Sequence, residues 1–245
     1  MISKIFFSKK ISAFLAISIC LVALALFFFN APKANASVLD WQKSVTIYPN
    51  GPNDFSSSDF RRSLSNAANM NINHVTVAIP IYQSSNTSSD IQTGRNTPTD
   101  QSLIDAINHA RSLNIRIAFK IHLSTFDTSQ WGAFINAANR DEWFGGYQRM
   151  LNRYGAIAES HRVEVFIIGN ELITMATATS NPDNTQRWSN MINSLRSVYS
   201  GSLSYNSNWG GSFFSDEKNH IEFWKELDFI GISAYFNLND DFRAA

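Results

Sequence analysis

Cysteine is nearly absent from this sequence of 245 residues, which contains a single one, Cys20. That residue lies inside a predicted export signal, so the mature chain is expected to carry no thiol. This excludes a disulfide bond, a thiolate nucleophile and a cysteine-bound metal. The five histidines show no metal-ligand spacing either. We therefore predict neither a metal nor another cofactor, and a fold stabilised by packing alone.

An excess of charge of either sign is also missing. The chain has 20 Lys+Arg and 20 Asp+Glu, which gives a formal net charge of zero. No stripe of basic residues is present, so the electrostatic surface expected of a nucleic-acid binder is lacking. A hydrophobic content of 44%, with 13% aromatic residues, is ample for a sizeable core. The composition thus predicts a folded protein that does not bind nucleic acid.

The first 36 residues have the pattern of an export signal. Three lysines precede an apolar stretch at residues 11–29, and Ala34-Asn35-Ala36 matches the small-x-small cleavage pattern. We predict cleavage after Ala36 and a secreted, extracellular protein whose domain comprises residues 37–245. The alternative is an uncleaved membrane anchor, because residues 11–29 would nearly span a bilayer. The domain would then face outside and contact the membrane only through that stretch.

Short β-rich runs alternate with helical patterns along the rest of the chain. The predicted strands are residues 45–48, 74–79, 115–121, 163–168, 203–205 and 228–232, and the predicted helices are residues 57–70, 100–113, 142–160, 185–199 and 217–225. This alternation predicts an α/β protein with a parallel sheet. An open nucleotide-binding sheet would need a glycine-rich turn after the first strand, and "YPNGPNDF" is not one. A (β/α)8 barrel is favoured, incomplete in this chain with about six β/α units.

Polar and aromatic residues follow the predicted strands, at the end where barrel proteins carry their sites. They are Tyr82, Lys120, His122, Asn170, Glu171, Asn208, Trp209 and Tyr235. Amides, aromatic rings and an acid together suit a polyhydroxylated ligand, because sugars offer CH faces and hydroxyl groups. Lys120 and His122 lie on the same side of their strand, and that side could face solvent instead of a binding site. Trp209 could equally belong to the core.

Several segments together resemble glycoside hydrolase family 113 and its barrel relatives in clan A, which include β-mannanases. The segments are "RIAFKIHL" followed by "QWGAFI", "EWFGGYQRMLNRYGAIAE", "VEVFIIGNEL", and "LSYNSNW" followed by "FWKELDFIGISAYFNL". They agree in order and spacing over residues 44–238, nearly the whole predicted mature chain. The resemblance implies a barrel that acts on a β-linked polysaccharide or oligosaccharide of the mannan type.

The resemblance also implies roles for individual residues. Glu171 would be the general acid/base, Asn170 would bind the hydroxyl next to the reacting carbon, and Tyr235 would orient the nucleophile. The remaining candidates would bind substrate, namely Tyr82, Lys120, His122, Asn208 and Trp209. The sequence departs from the family at Ile121, where the family usually has a proline between the lysine and the histidine.

A retaining mechanism needs a second carboxyl group, which clan A supplies at the end of strand seven. The sixth predicted strand is the last before Ala245. We therefore expect the chain to be truncated before strand seven and inactive by itself, with the nucleophile outside this sequence. The rival hypotheses are a non-catalytic carbohydrate-binding barrel and a structural barrel remnant without a ligand.

Overall fold

The computed structural model describes residues 42–128, 130–210 and 216–235, and in them six parallel strands form one curled sheet. The strands follow chain order across the sheet: β1 (Ser44–Ile47), β2 (His74–Gln83), β3 (Arg116–Thr125), β4 (Val165–Asn170), β5 (Ser202–Asn208) and β6 (Phe229–Ser233). All five neighbouring pairs are parallel. The predicted α/β class and incomplete (β/α)8 barrel are confirmed.

Helices connect successive strands. They are α1 (Ser58–Asn69), α2 (Asp100–Ser112), α3 (Arg140–Ser160), α4 (Ile173–Ala176), α5 (Asn184–Arg196) and α6 (Glu217–His220). Helices α1, α2 and α3 begin after residues whose side chains accept a backbone N–H of the first turn: Ser57 from Phe60, Thr99 from Ser102, and Asn139 from Glu142. Such caps satisfy amide groups that the helix itself leaves unpaired, and they fix where each helix starts.

The prediction of one helix over residues 217–225 is wrong. The segment contains the short helix α6 and a 3-10 turn, Phe223–Glu226, separated by the extended and buried Ile221. The indole of Trp224 donates to the carbonyl of Lys218 at 2.9 Å. A continuous helix would pair that carbonyl with the amide of residue 222 instead. Burial of Ile221 and this indole bond therefore replace the regular helical pattern.

Side chains alternate between the two faces of the sheet, and this alternation separates core from site. On β3, Phe119 and Ile121 are fully buried in the core that the helices cover. The intervening Lys120 and His122 are half-buried on the opposite face. They point to the inner side of the curled sheet and not to bulk solvent.

The predictions for residues 1–36, including Cys20 and the cleavage site, lie outside the described residues. Within the part of the chain that the structure describes, no helix is both long and apolar enough to cross a bilayer.

Candidate active site

Glu171 occupies a sharp backbone turn directly after β4. Its φ of 52° lies in the left-handed region, which costs a residue with a side chain about 1–3 kcal/mol. Two hydrogen bonds hold the turn: the Glu171 N–H donates to the Asn206 carbonyl at 2.8 Å, and the Leu172 N–H donates to the Tyr205 hydroxyl at 2.7 Å. Neighbouring strand β5 therefore determines the position of the carboxyl-bearing residue.

Gly169 allows β5 to approach this turn closely. The pairing of β4 with β5 shifts register between Ile167 and Asn170. A Cβ atom at Gly169 would lie 2.8 Å from the Tyr205 ring, closer than packed atoms come, and 3.2 Å from the ring of Trp188, which is also tight. The glycine is thus required for space, so that the Tyr205 hydroxyl can reach Leu172.

Trp131 binds the carboxylate of Glu171 directly. Its indole N–H donates to Glu171 Oε2 at 2.6 Å. The 3-10 turn Gly132–Phe134 follows Trp131 and packs against the backbone of residues 170–172. The packing is close enough that a Cβ at Gly132 would lie 3.6 Å from the Glu171 carbonyl oxygen. The hydroxyl of Thr174 also donates to the Ala133 carbonyl at 2.8 Å. The loop after β3 is therefore fastened to the segment that carries the acid.

Lys120 and His122 lie within electrostatic reach of Glu171. Burial lowers the pKa of Lys120, and the negative charge of Glu171 opposes this effect. Burial also lowers the pKa of His122 to about 4; the positive charge of Lys120 adds to this effect, and the negative charge of Glu171 opposes it. His122 is consequently neutral at neutral pH, with one ring nitrogen able to donate a hydrogen bond and the other to accept one.

A cavity of about 300 Å³ opens beside these groups. Its lining includes Tyr48, His122, Ser124, Gln130, Trp131 and Asn170. The ring of Tyr48 meets that of His122 edge-on at 5.5 Å. Asn170 Oδ1 is buried and has no hydrogen-bond partner among the described residues. A ligand hydroxyl could satisfy this oxygen, and the aromatic rings could contact the CH faces of a sugar.

The other predicted substrate-binding residues lie outside this cavity. Tyr82 is buried, stacks on Phe126 at 5.2 Å and shares a side-chain hydrogen bond with Tyr48. The side chain of Asn208 accepts the Gly210 N–H at 3.0 Å. Trp209 is half-buried after β5, and its carbonyl accepts a hydrogen bond from Lys218.

Tyr235, for which the resemblance implies a role beside the nucleophile, is 77% exposed beyond β6. Within the described residues, no hydrogen bond or ring contact links it to Glu171. The structure therefore brings Asn170, Glu171, Lys120 and His122 together, and it does not bring Tyr235 to them.

Glu217 is a second acidic group near Glu171 that the sequence did not reveal. Its side chain is 1% exposed and accepts hydrogen bonds from the Tyr205 hydroxyl at 2.5 Å and the Asn208 N–H at 2.7 Å. Burial raises its pKa to about 7; the two hydrogen bonds oppose the rise, and the charge of Glu171 adds to it. Trp131 and Tyr48 were missed as well, although "QWGAFI" contains the first and the end of the first predicted strand contains the second.

No group of three or more His, Cys, Asp or Glu residues within the described ranges is arranged to hold a metal ion. The polar groups that line the cavity are amide, imidazole, indole and hydroxyl groups, and the indole, that of Trp131, binds the Glu171 carboxylate. These are hydrogen-bonding groups for an uncharged polar ligand.

The fold and the cavity define a (β/α)-barrel protein with a carboxyl group and a sugar-sized polar site at the carboxyl ends of its strands. The model of Glycoside Hydrolase Family 113 matches residues 47–244. The chain belongs to glycoside hydrolase family 113. Comparison with curated proteins gave no match.

Solved structures of the family share the fold. A GH113 β-1,4-mannanase complex matches with a TM-score of 0.71 and 25% identity over 81% of this chain and 63% of that one. The GH113 β-mannanase from Alicyclobacillus acidocaldarius in complex with ManMIm gives a TM-score of 0.70 and 23% identity over the same shares. A GH18 chitinase from Pseudoalteromonas aurantia shares the fold at a TM-score of 0.51 and 11% identity, over 81% of this chain and 69% of that one. This chain thus spans 63% of the length of the two mannanases.

Proposed function

We propose that this chain is part of an exported glycoside hydrolase that cleaves a β-linked, mannan-like polysaccharide with retention of configuration. Family membership supports the reaction class, and the mannanase relatives support the substrate class. The observation that carries the proposal is the Glu171 carboxylate, bound by Trp131 beside a cavity that Trp131 and Asn170 both line.

In this mechanism Glu171 is the general acid and then the general base. It first donates a proton to the departing glycosidic oxygen while a second carboxylate attacks the anomeric carbon and forms a glycosyl-enzyme. Glu171 then removes a proton from a water molecule, whose oxygen attacks the same carbon and releases the second carboxylate. Each product thereby leaves with a complete hydroxyl group, and the acid regains its proton.

The neighbours of Glu171 serve to bind and orient the sugar. Asn170 binds the hydroxyl next to the reacting carbon, where a hydrogen bond strengthens as charge develops on the ring. Lys120 and the neutral His122 bind other hydroxyl groups from β3. The rings of Tyr48 and Trp131 contact the sugar faces at the cavity wall.

The second carboxyl group of this proposal does not come from Glu217. That side chain is sealed from solvent, and both of its oxygens accept protein donors, so it cannot reach an anomeric carbon. We assign the nucleophile to polypeptide beyond Ala245, as the family resemblance implies, and assign to Tyr235 the role of orienting it. Residues 1–245 alone would then bind the glycan without hydrolysing it at a normal rate.

Export is the remaining part of the proposal. The signal-like pattern before residue 37 supports secretion with cleavage after Ala36. Amino-terminal sequencing of the protein from the culture medium should begin at Ser37. Recovery in the membrane fraction with an intact amino terminus would support the anchor instead.

The decisive experiment compares Glu171→Gln with wild type in the product of the complete reading frame. Hydrolysis of β-1,4-mannan should fall by about 10²- to 10⁴-fold, while affinity for mannopentaose remains within a few fold. Activated aryl glycosides, which need little protonation, should form the glycosyl-enzyme at nearly the normal rate. The matched control is Glu222→Gln. The wild-type Glu222 carboxylate lies on the protein surface, where it accepts a hydrogen bond from the Thr185 hydroxyl.

Undiminished hydrolysis of mannan by Glu171→Gln would remove Glu171 from the acid/base role. Glycan binding without hydrolysis by the wild-type product would favour the carbohydrate-binding barrel. Xylan and β-glucan tested in parallel would identify the sugar that the cavity accepts.

A further inference from the structure

A chain of hydrogen bonds connects Glu217 to the turn at Glu171. The Tyr205 hydroxyl donates to Glu217 Oε1 at 2.5 Å and accepts the Leu172 N–H at 2.7 Å. The other oxygen of Glu217 accepts the Asn208 N–H at 2.7 Å. When Glu217 is ionised, every donor in this chain therefore has one acceptor, and the chain ends on the residue that follows Glu171.

We infer that Glu217, acting through the Tyr205 hydroxyl, is a positioning residue that holds the Glu171 carboxyl beside the cavity. The inference deepens the proposed function and rests on the acid/base role of Glu171. Glu217 is buried and does not line the cavity, so it cannot touch the substrate. The inference gives it an indirect role in the reaction, through the position of Glu171.

The direction of the hydrogen bonds explains why a carboxyl group is needed. A tyrosine hydroxyl has one hydrogen, and Glu217 accepts it. The lone pairs of the hydroxyl oxygen thereby remain directed at the Leu172 N–H. Without Glu217, the hydroxyl would be a buried donor that lacks an acceptor, and rotation of its hydrogen would compete with the Leu172 bond.

Close packing holds the Tyr205 ring in this arrangement. Tyr205 is fully buried. Its ring contacts Trp188 at 5.4 Å and Phe223 at 5.5 Å, both edge-on, and closely approaches Gly169. The hydroxyl can thus occupy one place. The left-handed backbone of Glu171 is costly by itself, so the bond to Leu172 is one of the two that compensate for it.

The charge state of Glu217 gives a readout of this coupling. The ionisable groups around it are Tyr205 from β5, Glu171 from the end of β4, and Asp216, Lys218 and His220 from its own segment. Burial raises the pKa of Glu217 to about 7, whereas Lys218 bonds to Asp216 and to the Trp209 carbonyl. Titration of Glu217 near neutral pH should therefore be felt at the Glu171 turn.

The test uses the 245-residue chain and the indole N–H resonance of Trp131, which reports on its bond to Glu171. Nuclear magnetic resonance spectra are recorded for wild type, Tyr205→Phe, Glu217→Gln and Glu171→Ala, with Trp131→Phe to assign the signal. In Tyr205→Phe and Glu217→Gln the resonance should move toward its position in Glu171→Ala. The matched control is Tyr199→Phe, which removes a buried hydroxyl donor to the Val163 carbonyl at the other end of the sheet.

A pH titration completes the test. In wild type the Trp131 resonance should shift through the titration of Glu217 near pH 7, and in Glu217→Gln this step should be absent. If Tyr205→Phe fails to fold, these two titrations decide the matter alone. An unmoved resonance in folded Tyr205→Phe, or a wild-type step that persists in Glu217→Gln, would overturn the inference.

Kinetics separate this inference from the proposed function. In the complete reading frame, Tyr205→Phe should lower kcat about 10- to 100-fold with little change in KM, since a displaced acid reacts slowly but the sugar still binds. If Glu171→Gln hydrolyses mannan normally, the proposed function fails whatever the resonance does. If Glu171→Gln is inactive and Tyr205→Phe is fully active, the positioning role fails alone.

Discussion

The indole N–H of Trp131 and the carboxylate of Glu171 are joined by a hydrogen bond of 2.6 Å between residues that lie 40 positions apart in the sequence. The bond connects the loop after β3 to the residue after β4. It fixes one oxygen of the carboxyl group, and the other has no hydrogen bond to any residue that the structure describes.

Replacement of Trp131 by Phe should impair hydrolysis without unfolding the protein. A hydrogen bond to a charged group contributes about 1.5–3 kcal/mol, so kcat/KM for mannan should fall about 10- to 100-fold. The Trp131 side chain is 39% exposed, so the melting temperature should change little. The control is Phe134→Leu, which removes the ring that meets Trp131 edge-on at 5.8 Å. In this variant kcat/KM for mannan should fall less than about threefold. Equal losses in both variants would contradict a specific role of the indole N–H.

The left-handed backbone at Glu171 predicts an unusual order of stability. Glycine adopts this conformation freely and alanine does not, so Glu171→Gly should be about 1 kcal/mol more stable to urea than Glu171→Ala. At the exposed helical residue Ala156, substitution by Gly should instead destabilise by about 1 kcal/mol. A less stable Gly variant at position 171 would show that the turn is not strained.

Glu217 predicts that stability falls as pH rises. Its pKa is raised from 4.5 in the unfolded chain to about 7 in the folded protein, so the folded state holds this proton more tightly. Between these values unfolding releases a proton, and the free energy of unfolding should decrease by about 3 kcal/mol across the window. His122 opposes this slope below pH 6.5, so the decrease should be measured as the change with pH in the difference in free energy of unfolding between wild type and Glu217→Gln, in urea titrations performed from pH 4.5 to 7.5.

His122 predicts the opposite slope. Its pKa falls from 6.5 to about 4 on folding, so the unfolded chain binds the extra proton and stability should rise from pH 4 to 6.5. The two slopes largely cancel in wild type between pH 4.5 and 6.5. Glu217→Gln should therefore show stability that rises with pH, and His122→Gln stability that falls. Profiles parallel to wild type in both variants would refute the assigned pKa shifts.

Gly169 predicts a purely steric requirement. Its added Cβ in Gly169→Ala would lie 2.8 Å from a Tyr205 ring that neighbouring rings hold in place, so the free energy of unfolding should fall by about 1–3 kcal/mol. Gly51→Ala is the control, because a Cβ there meets nothing within 4 Å. Its effect should stay within about 0.5 kcal/mol by urea denaturation. An unaffected Gly169→Ala would mean that the Tyr205 ring can move away.

The sequence predicts the strands well because most of them are runs of β-branched and aliphatic residues between helical patterns. It also identifies Asn170 and Glu171, since polar groups directly after a buried strand must lie at its carboxyl end. The prediction of a helix over residues 217–225 was wrong because the burial of Ile221 and the hydrogen bond of the Trp224 indole depend on tertiary contacts. Local helical spacing contains no information about them.

The supports of the acid could not be predicted for the same reason. Hydrogen bonds connect Glu217 to the Glu171 turn through Tyr205, and nothing in the spacing of these three residues indicates a contact. Trp131 lies in a loop without regular periodicity. The left-handed φ of Glu171 is likewise hidden, because glycine, not glutamate, is the residue whose presence suggests such a backbone.

The turn at Glu171 is held by hydrogen bonds that two main-chain groups donate, its own N–H and that of Leu172. Replacement of the side chain by a glutamine of equal shape therefore leaves the turn intact. Crystals of this inactive variant could be soaked with long oligosaccharides, which would stay uncleaved. The resulting structures would show how successive sugar units lie in and beyond the cavity.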